Sequence, residues 1–195
     1  MTPIAIWSLA LLLYAAFWSW YVGFRRKITP TEVEETMRRL DSAASWTEKQ
    51  RKHIHSFLAS DDGKDFVMVN LLHLKEPRAD SRQKLNAYTK IFLGALLRKA
   101  GHPVMVATAA SGNIENIGCE QADDWTAAGM IRYRSRRDLM EMLPSTVGSE
   151  HHGLKLEALE KTLAFPSSPW FMPGGPRVVV ALTIALFAAL LQLAC

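Results

Sequence analysis

The sequence predicts an α+β domain flanked by two apolar helices, and three observations support this fold class. No Asp, Glu, Lys or Arg occurs before Arg25 or after Arg177, so two uncharged ends enclose one polar middle segment. Residues 66–74 then form the longest β-like run of the middle segment, and this run is largely apolar on both faces. Helical and strand-like patterns alternate after it. Because both of its faces are largely apolar, we expect the run 66–74 to be a central strand that is covered on both sides.

The uncharged run 4–24 predicts a transmembrane helix. Its roughly 21 residues would make a helix of about 32 Å, which is enough to cross a hydrocarbon core of about 30 Å. The alternative is a cleaved signal peptide, but the run lacks a basic leading region and ends in basic residues. A second uncharged run, 178–194, predicts another span, for which a buried core helix is the alternative.

Basic residues flank both predicted spans on the side of the polar segment. Arg25, Arg26 and Lys27 follow the first span, and Arg177 precedes the second. Because such residues concentrate on the cytoplasmic side, we predict a two-pass protein of a bacterial inner membrane, with a cytoplasmic central domain. The formal net charge of +4 then serves contact with membrane lipid. No basic patch interleaved with aromatic residues indicates a nucleic-acid partner.

Two capping patterns predict a pair of helices between the first span and the strand at 66–74. Thr29 to Glu32 and Thr47 to Gln50 each place a hydroxyl residue three positions before Glu or Gln. The predicted divisions of the chain are transmembrane helix 1 (1–24), a helical collar (25–60), an α/β domain (61–165), a Pro/Gly linker (166–177) and transmembrane helix 2 (178–195).

The patterns of the α/β domain follow the order β, α, β, β, α, β, which is the ferredoxin-like, or split βαβ, arrangement. The predicted elements are strands at 66–74, 104–110, 125–134 and 161–165, and helices at 81–100, 135–144 and 150–160. Helices cover one face of such a sheet, so the other face needs a partner. A second copy of the chain is the simplest partner, which predicts a homodimer. The alternative is a different membrane protein, which would make this chain an accessory subunit of a larger complex.

Three segments resemble an uncharacterised branch of the dimeric α/β-barrel superfamily. They are 61–71 (DDGKDFVMVNL), 125–137 with its RYRSRR ending, and 156–163 (LEALEKTL). The resemblance covers about residues 31–165 and neither terminal helix. It implies a ferredoxin-like domain that pairs sheet to sheet. The superfamily includes cofactor-independent monooxygenases, haem-degrading enzymes and chlorite-dismutase-like proteins, so kinship at this level implies no single activity.

The haem-degrading branch uses an Asn on the first strand, a Trp and a helical His. Asn70 and Trp125 match the first two of these residues. The helix after Ser135 carries Arg136 and Arg137 but no His, which argues against haem ligation. The resemblance therefore implies no cofactor.

The candidate site residues are Asn70, Tyr88, Trp125 and His151. Small residues at Ala107, Ala109 and Gly129 should leave a pocket between the sheet and its helices, with the candidates at its edge. Three of these candidates also have a structural interpretation. Asn70 would pin a neighbouring strand, Tyr88 would be a core residue, and His151 would be solvated.

The expected ligand is a small hydrophobic or aromatic molecule that arrives from the bilayer. Cofactor-independent oxygenation of an electron-rich ring is the enzymatic version of this hypothesis, and simple binding or a structural role is the alternative. Arg132 and Arg134 are expected to form surface ion pairs, although an inward Arg would bind a carboxylate. No zinc spacing, phosphate loop, Ser-His-Asp pattern or dinucleotide fingerprint is present, so we expect no metal and no cofactor.

Overall fold

The computed structural model describes residues 2–117, 124–146, 150–170 and 174–194, without the side chains of 144–151. The described parts contain seven helices and four strands, in the order α1 (Pro3–Val22), α2 (Pro30–Ala43), α3 (Glu48–Ala59), β1 (Phe66–Leu74), α4 (Arg78–Arg98), β2 (His102–Thr108), β3 (Ala127–Tyr133), α5 (Arg136–Thr146), α6 (Glu150–Ala158), β4 (Leu159–Ser167) and α7 (Pro176–Ala194). The α+β class is confirmed. The chain divides into two units, one of residues 1–24 with 169–195 and the other of residues 25–168.

The sheet of the central unit has four strands in the order β2-β3-β1-β4, and every neighbouring pair is antiparallel. The predicted central position of β1 is confirmed, since β1 pairs with β3 on one side and β4 on the other. At mid-sheet, Asn70 lies opposite Gly129 on β3 and Ala164 on β4, and Val106 on β2 lies opposite Gly129.

One face of the sheet packs against helices. Phe66 and Tyr133 are neighbours across β1 and β3, and their rings stack with centroids 5.0 Å apart. They join Leu96 of α4 and Met142 of α5 in one buried cluster. Because side chains alternate along a strand, Met68, Asn70 and Gly129 lie on this same helix-covered face.

The opposite face carries two apolar rows that cross all four strands. The registers align Phe165, Val69, Met130 and Met105 in one row, and Leu163, Leu71, Ala128 and Ala107 in the next. We call this surface the open face. Leu163 is 49% exposed and Phe165 is 46% exposed, so the described helices of this unit leave both side chains partly uncovered.

The collar helices form a second small core, against which Met140 and Leu143 of α5 also pack. Both predicted capping boxes are present, at Thr29 with Glu32 and at Thr47 with Gln50. The inner stripes of α2 and α3 meet in a buried cluster of Val33, Met37, Leu40 and Leu58.

Arg137 of α5 connects the collar to the α/β domain. Its Nη1 and Nη2 donate to the two carboxylate oxygens of Glu32 at 2.7 and 2.8 Å, its Nη2 donates to the carbonyl of Lys27 at 2.6 Å, and its Nε donates to the carbonyl of Arg26 at 3.3 Å. The buried Asp61 carboxylate also accepts the backbone N–H of Ile28 at 2.9 Å. The segment immediately before α2 is therefore held by side chains from two other parts of the unit.

The terminal unit is a pair of apolar helices, α1 and α7, each long and apolar enough to cross a membrane. Ile6 and Ala10 pack against Ala188. The indole N–H of Trp7 donates to Gln192 at 2.7 Å, which provides a partner for the amide of an otherwise apolar helix.

Several element boundaries differ from the predictions. Helix α4 begins at Arg78, three residues before the predicted start, and α5 extends past Pro144 to Thr146. Pro144 lies in the last turn of α5, where its missing N–H removes one intrahelical hydrogen bond and the helix still continues for two residues. Strand β4 begins at Leu159, two residues early, because Leu159 pairs with Leu74 at the far end of β1.

Candidate functional site

The amide of Asn70 faces the helices from the middle of the sheet. Its Nδ2 donates to the carbonyl oxygens of Met68 at 3.1 Å and of Gly129 at 3.4 Å. Since both neighbours are acceptors, the orientation of the amide is determined, and Oδ1 points away from them. Oδ1 accepts no hydrogen bond from any residue in the described part of the chain. Asn70 thus connects β1 to β3, as its structural interpretation expected, and it keeps an acceptor available for a ligand.

Space lies above Gly129, which is the β3 neighbour of Asn70. Gly129 is buried, yet a Cβ atom added there would meet no atom within 4 Å. A buried strand position normally has a side chain packed above it, because protein interiors are close-packed. The gap therefore lies on the same face as Asn70, directly beside its amide, and the next residue along this row, Val106 of β2, is 73% exposed.

The predicted contribution of Ala107 and Ala109 to this pocket is wrong. Ala107 pairs with Ala128, in the row of Leu71, and so lies on the open face. Ala109 follows the last residue of β2. The cause is an irregularity in β2 between Pro103 and Met105, where one additional residue shifts the register. Such a bulge exchanges the faces of all later residues in the strand.

Tyr88 lies on α4, on the side that faces the sheet. Its ring stacks on Phe92 with centroids 5.9 Å apart, and Phe92 contacts Tyr133 edge-on at 6.5 Å. Tyr133 is on the same face of β3 as Gly129. Burial raises the pKa of Tyr88, and burial together with the nearby Tyr88 raises the pKa of Tyr133. Both hydroxyls therefore remain protonated donors at neutral pH.

Lys155 and His152 of α6 complete the helix layer. The Lys155 Nζ atom stands over the ring of Tyr88, 5.9 Å from its centroid. His152 precedes Lys155 by three residues and so lies on the same side of α6. Burial lowers the pKa of Lys155, and burial followed by the positive charge of Lys155 lowers the pKa of His152. Within the described ranges no carboxylate pairs with Lys155.

Trp125 lies apart from this group, and the side chain of His151 is outside the described residues. Trp125 precedes β3, near the Leu72 end of β1, and the Lys161 Nζ atom is 4.9 Å from the centre of its ring. The side chain of His151 is among the side chains outside the described residues, so its predicted role stays a prediction. Asn70 and Tyr88 thus lie on the same side of the sheet, in its sheet and helix layers, and Trp125 lies apart from them.

The two arginines of β3 and its following turn form structural ion pairs. Arg134 makes two hydrogen bonds to Asp138, both 2.8 Å long, as the surface interpretation expected. Arg132 is fully buried, which was not expected, and it bonds to Asp65 at 2.9 Å and to the carbonyl of Ala100 at 2.8 Å. Neither guanidinium is directed at the space above Gly129, since both are engaged with carboxylates.

A separate groove lies on the collar. It has a volume of about 410 Å³, and Glu32, Arg39, Met140 and Glu141 are among its lining residues. The groove borders the Arg137–Glu32 network, in which the charges already have partners. We therefore favour the space above Gly129, where the Asn70 Oδ1 atom keeps unused hydrogen-bonding capacity. In the described part of the chain, no group of three or more His, Cys, Asp or Glu could hold a metal ion.

Sequence reasoning missed Lys155. It falls in the segment Leu154-Lys155-Leu156, where it looks like an ordinary solvated lysine. The spacing from His152 was the available signal, because a three-residue separation places two side chains on one helix face. What that face meets depends on the packing of α6 against α4, which local sequence does not specify.

No family model matches the chain, and no curated protein sequence matches it. Among solved structures, the chain is similar to a protein of unknown function from Rhodopseudomonas palustris, with 21% identity and a TM-score of 0.51, over 66% of this chain and 97% of that one. The methylated form of that protein gives the same identity and TM-score over 67% and 96%. A hydroxynitrile lyase from Passiflora edulis is similar at 14% identity and a TM-score of 0.39, over 56% of this chain and 98% of that one. The first two likenesses show a shared α+β fold and do not indicate an activity.

Proposed function

We propose that this protein is a two-pass membrane protein whose cytoplasmic unit is a ferredoxin-like domain of the dimeric α/β-barrel superfamily. We propose further that this unit binds a small hydrophobic or aromatic molecule. The strand order β2-β3-β1-β4 and the alternation of strands and helices support the ferredoxin-like assignment. The likeness to the Rhodopseudomonas palustris protein is consistent with it.

The membrane assignment is supported by how little of α1 and α7 is covered. Only 11% of the most apolar stretch of α1 is buried, and only 6% of the most apolar stretch of α7. A core helix of a soluble protein would be covered nearly all round, and uncovered apolar helices are costly in water. Arg25, Arg26 and Lys27 follow α1, and Arg177 is in the first turn of α7. Because basic residues concentrate on the cytoplasmic side of membrane helices, both termini lie outside the cytoplasm. Reporter fusions at the two termini test this topology, and activity of a cytoplasmic reporter at either end would contradict it.

The open face supports assembly as a homodimer. Its two apolar rows are continuous across four strands, while His73 and Lys161 lie opposite each other at one end. An apolar centre with polar residues at its border is the composition of a protein interface. Because an isologous contact presents the same surface twice, two such faces would cover each other.

The dimer is tested by Leu163→Asp in the full-length protein, with particle mass measured in detergent. We expect the wild type to be dimeric and the variant monomeric, because the new charge would lie in the apolar row. Leu97→Asp is the matched control, since Leu97 is 52% exposed and Leu163 is 49% exposed. A monomeric wild type would contradict the dimer.

The observation that carries the binding proposal is the unfilled space above the buried Gly129. Tyr88, Phe92 and Tyr133 supply aromatic surface on the same side of the sheet, and the Asn70 amide supplies a polar group. Apolar walls with a few polar groups are typical of small-molecule sites. The proposal concerns binding and includes no catalytic step.

Filling the space tests the binding proposal. The full-length protein in nanodiscs is titrated with 1-naphthol, a small neutral aromatic probe, by isothermal calorimetry. Gly129→Leu should abolish binding, whereas Gly94→Leu should leave it unchanged. Gly94 is the matched control because a Cβ there also meets no atom within 4 Å, but Gly94 is exposed on α4. Binding that survives Gly129→Leu would reject this site.

A role as accessory subunit of a larger membrane complex is the second candidate. It is favoured by apolar side chains exposed in the segment after β2, where Ile114 is 96% exposed and Ile117 is 81% exposed. Exposed apolar residues of this kind frequently mark contacts with other proteins. Co-purification of a foreign subunit in constant stoichiometry, lost in an Ile114→Ser and Ile117→Ser double variant, would support this candidate. A homogeneous particle of this chain alone would reject it.

A further inference from the structure

We propose that the ligand is a hydrophobic or aromatic carboxylate and that Lys155 and Tyr88 bind its carboxylate group. This inference rests on the proposed function, because it names the chemical class of ligand for the same site.

The position of Lys155 is the first argument. Helix α6 packs against α4, and the Lys155 ammonium is half-buried between them, over the ring of Tyr88. In the described ranges it has the aromatic ring as a partner but no carboxylate. A partly desolvated ammonium ion without a counter-ion attracts an anion of suitable size.

A second lysine on the same pair of helices provides the contrast. Lys84 of α4 forms an ion pair with Glu157 of α6 at 2.7 Å, and the two side chains are 43% and 60% exposed. The chain therefore supplies a counter-ion to Lys84. Lys155, which lies over the ring of Tyr88, has no such carboxylate in the described ranges and is available to an external anion.

The charge of the site selects a monoanion. The pKa of His152 is lowered by burial and by Lys155, so the imidazole is neutral at pH 7 and adds no second positive charge. One ammonium ion balances one carboxylate, whereas a phosphate dianion would leave excess negative charge in a partly desolvated site. The Tyr88 hydroxyl stays protonated and is available as a second donor to the carboxylate.

The remainder of the ligand would lie on the same side of the sheet, to which Tyr88 is linked through the rings of Phe92 and Tyr133. The space above Gly129 accommodates an apolar group. The Asn70 Oδ1 atom can accept a hydrogen bond from a hydroxyl or amine on that group. The sheet layer thus binds the body of the ligand, and the helix layer binds its acidic end.

The test compares two probes of nearly the same shape, 1-naphthoate and the neutral 1-naphthamide, by isothermal calorimetry on the full-length protein in nanodiscs at pH 7. The wild type should bind the carboxylate about tenfold or more tightly than the amide, because hydrogen bonds to charged groups are the stronger ones. Lys155→Met should remove this preference and retain binding of the amide, and Lys155→Arg should retain the preference. Lys84→Met is the matched control and should behave like the wild type.

The outcomes separate this inference from the proposed function. Equal affinity of the wild type for both probes would overturn the carboxylate assignment and leave the binding site in place. Absence of binding of both probes and of 1-naphthol would overturn the site itself. A preference that persists in a folded Lys155→Met variant, with circular dichroism unchanged, would assign the anion to a different residue.

Discussion

Arg137 and Lys155 are both partly buried cations of the same unit, but they differ in the hydrogen-bond acceptors around them. Arg137 donates hydrogen bonds to both oxygens of Glu32 and to two backbone carbonyls. Lys155 has an aromatic ring beside it and, among the described residues, no carboxylate. A cation with a complete set of acceptors holds a fold together, whereas a cation without them costs free energy and is available to a ligand.

The strongest test of this difference removes the connection made by Arg137. Arg137→Met should lower the free energy of unfolding by about 2 kcal/mol, because Glu32 and two carbonyls lose a charged donor. For a chain of this size that corresponds to about 4–8 °C in Tm. Thermal unfolding of the full-length protein in detergent measures the loss. Arg39→Met is the control, since Arg39 pairs with Glu35 on the exposed surface of α2. Equal Tm values for the two variants would contradict the structural role of Arg137.

Acid should weaken the same connection. Hydrogen bonds from Arg137, and next from the Thr29 backbone, hold the pKa of Glu32 well below its usual range. Glu32 therefore stabilises the folded state above its unfolded pKa of about 4.3, and this contribution is lost as pH falls below that value. The wild type should be more stable than Glu32→Gln at pH 7, and the gap should narrow below about pH 4. Denaturant titrations over this pH range measure the gap. A stability difference between wild type and Glu32→Gln that does not change with pH would show that ionisation of the Glu32 carboxylate does not contribute to stability.

Replacing Lys155 should stabilise the folded protein, whereas replacing Arg137 should destabilise it. Lys155→Met should raise the free energy of unfolding by about 0.5–1 kcal/mol while carboxylate binding is lost, because the substitution removes a poorly compensated charge. The folded-state pKa of Lys155 is lowered by burial, so the charged form is disfavoured in the fold at neutral pH. That penalty is relieved as pH rises through the folded pKa towards the unfolded value of about 10.4. The stability gain of the variant should therefore shrink in alkaline solution, and a loss of stability at pH 7 would refute this account.

Tyr88→Phe should give the smallest effect. The stacked ring is retained, so the free energy of unfolding should change by less than about 0.5 kcal/mol. Loss of the hydroxyl donor should weaken binding of 1-naphthoate by about 3- to 10-fold, and binding of 1-naphthol should change less. Calorimetry on the variant measures both affinities. An equal loss for both probes would mean that the hydroxyl does not contact the carboxylate.

Much of the local structure was predictable from the sequence because its causes are local. The bounds of β1 were predicted to the residue, since nine consecutive residues with strand character follow a charged turn. The capping boxes at Thr29 and Thr47 were predicted because a hydroxyl and a carboxyl or amide three residues later bond to the same turn of helix. The apolar character of α1 and α7 follows directly from their composition.

The composition of the candidate site was decided by tertiary structure. The register shift in β2 moved Ala107 to the open face, because one additional residue reverses the alternation of side chains for the rest of a strand. The packing of α6 against α4 placed Lys155 over Tyr88, across 67 positions of the chain. Local patterns thus determined which residues are helical or extended in this protein. Long-range pairing decided which side chains meet, because the free energy of those contacts depends on neighbours that are distant in sequence.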